Sequence, residues 1–76
     1  MTKKIKLSNG DLAALFLERV RELPGCPAGI SLAVVPHESY GWTAIMSPAQ
    51  RIRYPLFGKR FDNLLTELRK QYDLAR

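Results

Sequence analysis

The stretch ISLAVVPHESYGWTAIM, residues 30–46, decides the fold. It holds two runs in which apolar residues alternate with their neighbours, separated by the turn-rich segment 36–41. Alternation with a period of two is typical of a half-buried strand. The runs therefore predict an antiparallel hairpin of residues 30–35 with 41–47. The side that the two strands turn toward the core is formed by Ile30, Leu32, Val34, Trp42, Ala44 and Met46.

Helical periodicity flanks the hairpin on both sides. Before it, Ser8 is a good N-cap with Asp11 three residues later, and Pro24 disfavours helical geometry in the residue that precedes it. These signals predict a helix over about 9–23. After the hairpin, Pro55 opens a second predicted helix over about 57–74. The apolar stripes of the two helices are formed by Leu12, Leu15, Phe16, Val20 and Leu23, and by Phe57, Phe61, Leu64, Leu65, Leu68 and Tyr72.

Two segments admit alternatives. Residues 51–54 alternate charge and apolar bulk, which is typical of either a short third strand at a sheet edge or an irregular connection. Residues 1–7 form a basic N-terminal arm, for which disorder and a short edge strand are both considered. The remainder, 8–76, is expected to be a single domain.

The fold class that follows is α+β, in the order α-β-β-(β)-α, with two helices packed on one face of a small antiparallel sheet. The other face of the sheet presents Ala33, Val35 and Ile45 beside Ser31 and Thr43. A moderately apolar face of this kind suits sheet-to-sheet or edge-to-edge pairing between two copies of the chain.

Composition narrows the function classes. The chain has 76 residues, a formal net charge of +5, one cysteine and one histidine. A single cysteine excludes an internal disulfide, and a cytoplasmic location is expected from it. The longest apolar stretch is far shorter than the ~20 residues that span a bilayer, so no membrane association is expected. A core this small rarely supplies more than ~3–5 kcal/mol, which favours self-association as a dimer.

Charge is unevenly placed along the chain. No acid lies between Glu38 and Asp62. Cations interleaved with aromatic residues are typical of phosphate contact combined with base stacking. The competing interpretation is that the aromatic residues are core and the cations only solvate the surface. The residues predicted for nucleic-acid binding are Arg51, Arg53, Lys59 and Arg60.

Signals for catalysis are few. Cys26 and His37 are a nucleophile and a base by residue type, but a lone cysteine in a Pro- and Gly-rich loop is more often structural. No glycine-rich phosphate loop is present, because Gly25 and Gly29 have neither the dinucleotide nor the P-loop spacing. We expect no enzyme activity, no catalytic residues, no metal site and no cofactor.

The sequence resembles two groups of known proteins. The order of elements is similar to that of double-stranded-RNA-binding domains, which carry Pro-His between their first two strands, as at Pro36 and His37 here, and a basic cluster at the last helix, as at Lys59 and Arg60. The resemblance implies RNA contact at these two places. The chain also resembles short uncharacterised bacterial proteins of α-β-β-α order with a Trp-bearing second strand and a late Tyr-Asp-Leu, here 72–74. That resemblance implies a fold and no activity.

The sequence thus predicts a small basic cytosolic domain that acts by binding. The first hypothesis is a non-enzymatic protein-interaction module whose partner is a second copy of itself, as a homo-oligomer, or another protein. The alternative hypothesis is weak RNA or DNA binding through the basic 51–60 region. The sequence identifies no specific ligand.

Overall fold

The computed structural model describes residues 4–39 and 41–75. Within them the chain mixes helices and strands, which confirms the α+β class. The elements are β1 (Ile5–Leu7), α1 (Asn9–Arg21), β2 (Leu32–His37), β3 (Gly41–Met46), α2 (Pro48–Arg53), α3 (Pro55–Gln71) and β4 (Tyr72–Leu74).

The start of α1 follows from its cap. The Oγ of Ser8 accepts a hydrogen bond from the backbone N–H of Asp11 at 3.2 Å, and the Ser8 carbonyl accepts from the N–H of Leu12 at 2.8 Å. The first bond satisfies an N–H group that has no carbonyl partner within the helix, and the second is the first regular backbone bond of the helix. The predicted N-cap is therefore confirmed, and α1 ends at Arg21, two residues before the predicted boundary.

The antiparallel hairpin is confirmed, with shifted ends. β2 and β3 pair in a register that places Ala33 opposite Ile45 and Val35 opposite Thr43. β2 begins at Leu32 rather than at residue 30, and it continues through Pro36, which lies opposite Trp42. Proline is tolerated there because β2 has a strand neighbour on one side only, so its missing N–H breaks no ladder.

The segment 51–54 is neither a strand nor an irregular connection. Residues 51–53 form the second half of α2, and Tyr54 joins α2 to α3, so both alternatives are wrong. Pro48 occupies the first turn of α2, where its missing N–H costs nothing, and the N–H of Arg51 donates to the Ser47 carbonyl at 3.0 Å. The N–H of Tyr54 then donates to the Gln50 carbonyl at 2.8 Å and completes the last turn of α2.

Residues 5–7 and 72–74 form a second, two-stranded sheet. The sequence predicted only the first of these strands, as one of two alternatives. α3 stops at Gln71, three residues before the predicted end, and β4 follows it. β4 pairs in parallel with β1, with Lys6 opposite Asp73. Of the alternatives for the basic arm, residues 5–7 have the strand, whereas residues 1–3 lie outside the described residues. The observed order is therefore β-α-β-β-α-α-β instead of α-β-β-(β)-α.

The core lies between the hairpin and the two long helices. The ring of Phe16 packs edge-on against Trp42, with 6.1 Å between centroids, and tilted against Phe61 at 5.0 Å. The predicted core residues Leu15 and Leu64 are only half-buried. One side of the hairpin thus carries the core, beneath α1 and α3. The buried apolar residues are Leu12, Phe16, Val20, Val34, Trp42, Ala44, Met46, Phe57, Phe61, Leu65, Leu68 and Leu74.

None of the helices in the described part of the chain is long and apolar enough to cross a bilayer.

Candidate interaction surfaces

The four predicted cations divide into two kinds, and Arg51 belongs to the first. Its Nη1 and Nη2 donate to Oδ2 and Oδ1 of Asp62 at 3.1 and 2.9 Å. The guanidinium carbon also lies 5.8 Å from the ring centroid of Phe61. The hydrogen bond to Asp62 and, to a smaller extent, the carboxylate charge raise the pKa of Arg51 above its ordinary value. Arg51 therefore forms an ion pair with Asp62 at the surface, with its side chain 42% exposed.

Arg60 also has a structural contact, whereas Arg53 and Lys59 face solvent. The Nη1 of Arg60 donates to the Pro24 carbonyl at 2.8 Å and fastens the loop after α1 to α3. Arg53 is exposed, with its guanidinium carbon 5.8 Å from the ring centroid of Tyr54, and Lys59 is exposed. Within residues 4–39 and 41–75 neither of these two cations has an ion pair. The predicted cluster is therefore two bonded arginines and two solvated cations.

A patch of exposed apolar residues accompanies these cations. We call Ile52, Tyr54 and Leu56 the α2–α3 corner. Their exposed fractions are 82%, 36% and 68%, and α2 buries none of its residues. A depression of about 260 Å³ lies beside the corner. It is lined by Gly25, Tyr54, Pro55, Leu56, Phe57 and Arg60.

The second apolar surface lies on the solvent side of the hairpin. We call Ala33, Val35, Thr43 and Ile45 the outer hairpin face. Ala33 is exposed and lies directly opposite Ile45, which is 52% exposed. Val35 and Thr43 form the neighbouring pair and are half-buried. The alternation that buries one side of each strand therefore leaves an apolar strip on the other.

The outer edges of the hairpin are less open than its face. On β2, the Val34 carbonyl accepts a hydrogen bond from Asn9 Nδ2 at 2.8 Å. On β3, the Trp42 carbonyl accepts from Arg69 Nε at 3.1 Å, while Arg69 Nη2 donates to Thr43 Oγ1 at 2.6 Å. Side chains from the flanking helices thus use edge groups that an incoming strand needs.

Another depression, lined mostly by polar and charged residues, lies where α3 meets the end of the hairpin. It measures about 780 Å³ and contains charges of both signs. The Asp73 carboxylate in it accepts from the N–H of Leu74 at 2.9 Å, and Arg69 is bonded to β3. The sequence did not point to this site because its residues come from distant segments. They are Lys4, Ser39, Gly41, Thr66, Arg69, Lys70 and Asp73.

The residues considered for catalysis make local contacts. Cys26 Sγ donates to the Pro27 carbonyl at 3.7 Å, and His37 Nδ1 accepts from the N–H of Ser39 at 3.1 Å. No group of three or more His, Cys, Asp or Glu side chains suited to a metal ion occurs in the described part of the chain.

Comparison of the chain with protein-family models, curated proteins and solved structures finds no match. The surfaces described above are therefore the basis for a functional proposal.

Proposed function

We propose that this protein is a non-enzymatic interaction module that self-associates through the outer hairpin face. The observation that supports this most is the exposed pair Ala33 and Ile45, beside which Val35 and Thr43 lie on the same side of the hairpin. Arg69 of α3 reaches Thr43 Oγ1, but Ala33 and Ile45 stay exposed. A two-fold axis through this strip brings the same residues of two copies together and buries them from water.

Face-to-face pairing is favoured over pairing at the strand edges. An added strand needs free N–H and C=O groups along one edge. On β2, Pro36 has no N–H and the Val34 carbonyl is bonded to Asn9. On β3, Arg69 is bonded to the Trp42 carbonyl. The face has no such obstruction at Ile45.

The size of the face sets the expected affinity. Each strand has six residues. Two such strands, each about 20 Å long, present a face of roughly 200 Å². Stable interfaces bury about 800 Å² per partner, so the dimer is expected to be weak, with a dissociation constant between about 10 µM and 1 mM.

Sedimentation equilibrium over this concentration range tests the proposal. The wild-type chain is expected to shift from monomer to dimer, with a Tm that rises with concentration because association stabilises the folded state. Ile45→Lys should remain monomeric, since it places two like charges within the interface. The matched control is Ile52→Lys, which makes the same change at a more exposed position outside the face and should dimerise like the wild type. Monomer throughout, or equal dimerisation of Ile45→Lys and wild type, contradicts the proposal.

Nucleic-acid binding through the basic 51–60 region is the second candidate. The exposed cations Arg53 and Lys59 favour it, together with the partly exposed ring of Tyr54 beside Arg53. Because Arg51 is paired with Asp62, whereas the neutral Pro24 carbonyl leaves the charge of Arg60 in place, at most three phosphates are expected to be neutralised. The log–log dependence of affinity on salt should then have a slope of about −2.7 on a duplex, rather than about −3.6 for four. Fluorescence anisotropy with a duplex RNA measures this slope, and absence of binding at low salt eliminates the candidate.

A further inference from the structure

We infer that the α2–α3 corner is a docking surface for an acidic, amphipathic segment of another protein. This surface is separate from the outer hairpin face, and its use does not depend on self-association.

The corner has apolar side chains that the fold does not need. Ile52 lies on a helix that buries no residue, and Leu56 lies in the first turn of α3 on the side away from the core. Their exposed fractions of 82% and 68% are the largest among the exposed large apolar residues of the described chain. Each such side chain, when a partner buries it, is expected to strengthen binding by about tenfold or more.

The depression beside the corner provides a seat for an anchoring side chain. Its 260 Å³ is below the ~300–1,000 Å³ of typical small-molecule sites, so it suits one or two inserted side chains better than a cofactor. The depression is preformed, because Arg60 bonds to the Pro24 carbonyl and holds the loop at Gly25 against α3. Inserted anchors in preformed pockets supply most of the affinity in protein interfaces.

The charge around the corner selects an acidic partner. Lys59 and Arg60 lie three and four residues after Leu56, which places them beside it on the helix surface, and Arg53 lies between Ile52 and Tyr54. The nearby acid, Asp62, is already bonded to Arg51. If two copies docked through this corner about a two-fold axis, Arg53 and Lys59 of one copy would approach the same residues of the other copy. The like charges would repel each other.

The same features favour a peptide over a nucleic acid or a membrane. Ile52 and Leu56, the two most exposed residues of the corner, are aliphatic, so Tyr54, which is 36% exposed, is the one corner residue on which a base can stack. Arg51 is paired with Asp62, which reduces the contribution of phosphate contacts. The depression next to the apolar residues can accept an inserted side chain, whereas a flat lipid surface cannot fill it.

The probe is a fluorescein-labelled peptide of about 15 residues with leucines at helical spacing and glutamates elsewhere, a length sufficient for a helix on binding. We expect wild-type protein to bind it, with Ile52→Gln and Leu56→Gln each weakening the affinity about tenfold. Arg53→Gln should weaken it about threefold at low salt and less at high salt. The matched control is Ile5→Gln, which changes the same residue type at a 58% exposed position outside both surfaces and should leave the affinity unchanged. Circular dichroism checks that each variant is folded.

Further arms separate the alternatives. Replacement of glutamate by lysine in the peptide should abolish binding. The inference is overturned if the lysine peptide binds equally, if Ile5→Gln weakens binding as much as Ile52→Gln, or if no peptide binds at about 1 mM. It is also overturned if a duplex RNA or an anionic phospholipid vesicle binds more tightly than the peptide and displaces it. Sedimentation of the same variants reports on self-association, so failure here is distinguishable from failure of the dimer.

Discussion

The outer hairpin face and the α2–α3 corner both expose isoleucine to solvent, for different structural reasons. Ile45 belongs to a strand whose other side carries Trp42, Ala44 and Met46 in the core, so its exposure accompanies a required element. Ile52 belongs to a helix that contributes nothing to the core. Exposed apolar residues therefore indicate an interaction surface most strongly where the local structure does not require their exposure. The two regions should accordingly respond differently to substitution.

The largest effect is expected for the buried side of the hairpin. Trp42→Ala should lower the free energy of unfolding by about 3–5 kcal/mol, since Trp42 is fully buried against Phe16 and donates its Nε1–H to the Tyr72 carbonyl at 3.0 Å. That loss is comparable to the whole stability of a domain this small. Ile52→Ala should change the free energy by less than about 0.5 kcal/mol. Urea unfolding followed by circular dichroism measures both, and similar losses would contradict the contrast.

The second largest loss of stability is expected for substitution of Gly41 at the turn of the hairpin. Gly41 has a φ of +81°, and an added Cβ would lie 2.7 Å from Asp73 Oδ1. Gly29 has a φ of +68° but no atom within 4 Å of that position. Gly29→Ala should cost about 1–2 kcal/mol from the backbone alone, and Gly41→Ala at least ~1 kcal/mol more from the added collision. Thermal unfolding compares the two, and equal losses would show that Asp73 moves away without cost.

A third effect tests the protection of the β2 edge. Asn9→Ala removes the donor to the Val34 carbonyl and should lower the free energy of unfolding by about 1 kcal/mol. The same variant should leave the Ile45-dependent dimer intact, because the face and not the edge is the interface. Sedimentation of Asn9→Ala against Asn9→Ala with Ile45→Lys checks this. Dimerisation of the double variant would instead favour edge pairing.

The smallest effect is expected near the corner. The side chains of Arg51 and Asp62 are 42% and 56% exposed, so their ion pair should contribute no more than about 1 kcal/mol and should weaken with salt. Asp62→Asn should therefore cost little stability while leaving Arg51 uncompensated. In a double-mutant cycle with Arg51→Gln, a coupling energy well above 1 kcal/mol would show that the pair is a main structural support of α2.

The difference between the two regions also explains how much of the fold could be predicted from the sequence. Ser8 and the alternation around Trp42 are local signals with strong physical preferences, so α1, the hairpin and the outer face were predictable. The segment from Arg51 to Tyr54 alternates like a strand, but residues 51–53 belong to a helix of only six residues, which is too short for periodicity to identify. The pairing of β1 with β4 joins opposite ends of the chain, which no local pattern encodes.

The site was predictable to a smaller extent. The four cations were found by their position in a window without acids, but their partners were not. Arg51 reaches Asp62 across the α2–α3 turn, and Arg60 reaches the Pro24 carbonyl of a distant loop. Both contacts depend on how the elements pack. The exposure of Ile52 and Leu56 is hidden for the same reason, since the sequence shows residue type but not which face lacks a neighbour.

Contacts between copies test the central claim most directly. In an isotope-filtered nuclear Overhauser experiment on a mixture of ¹³C-labelled and unlabelled chain at about 1 mM, the account predicts signals between the methyl groups of Ile45 on one copy and those of Ala33 or Val35 on the other. Signals that join Ile52 or Leu56 of two copies, or a complete absence of signals between copies, would contradict it.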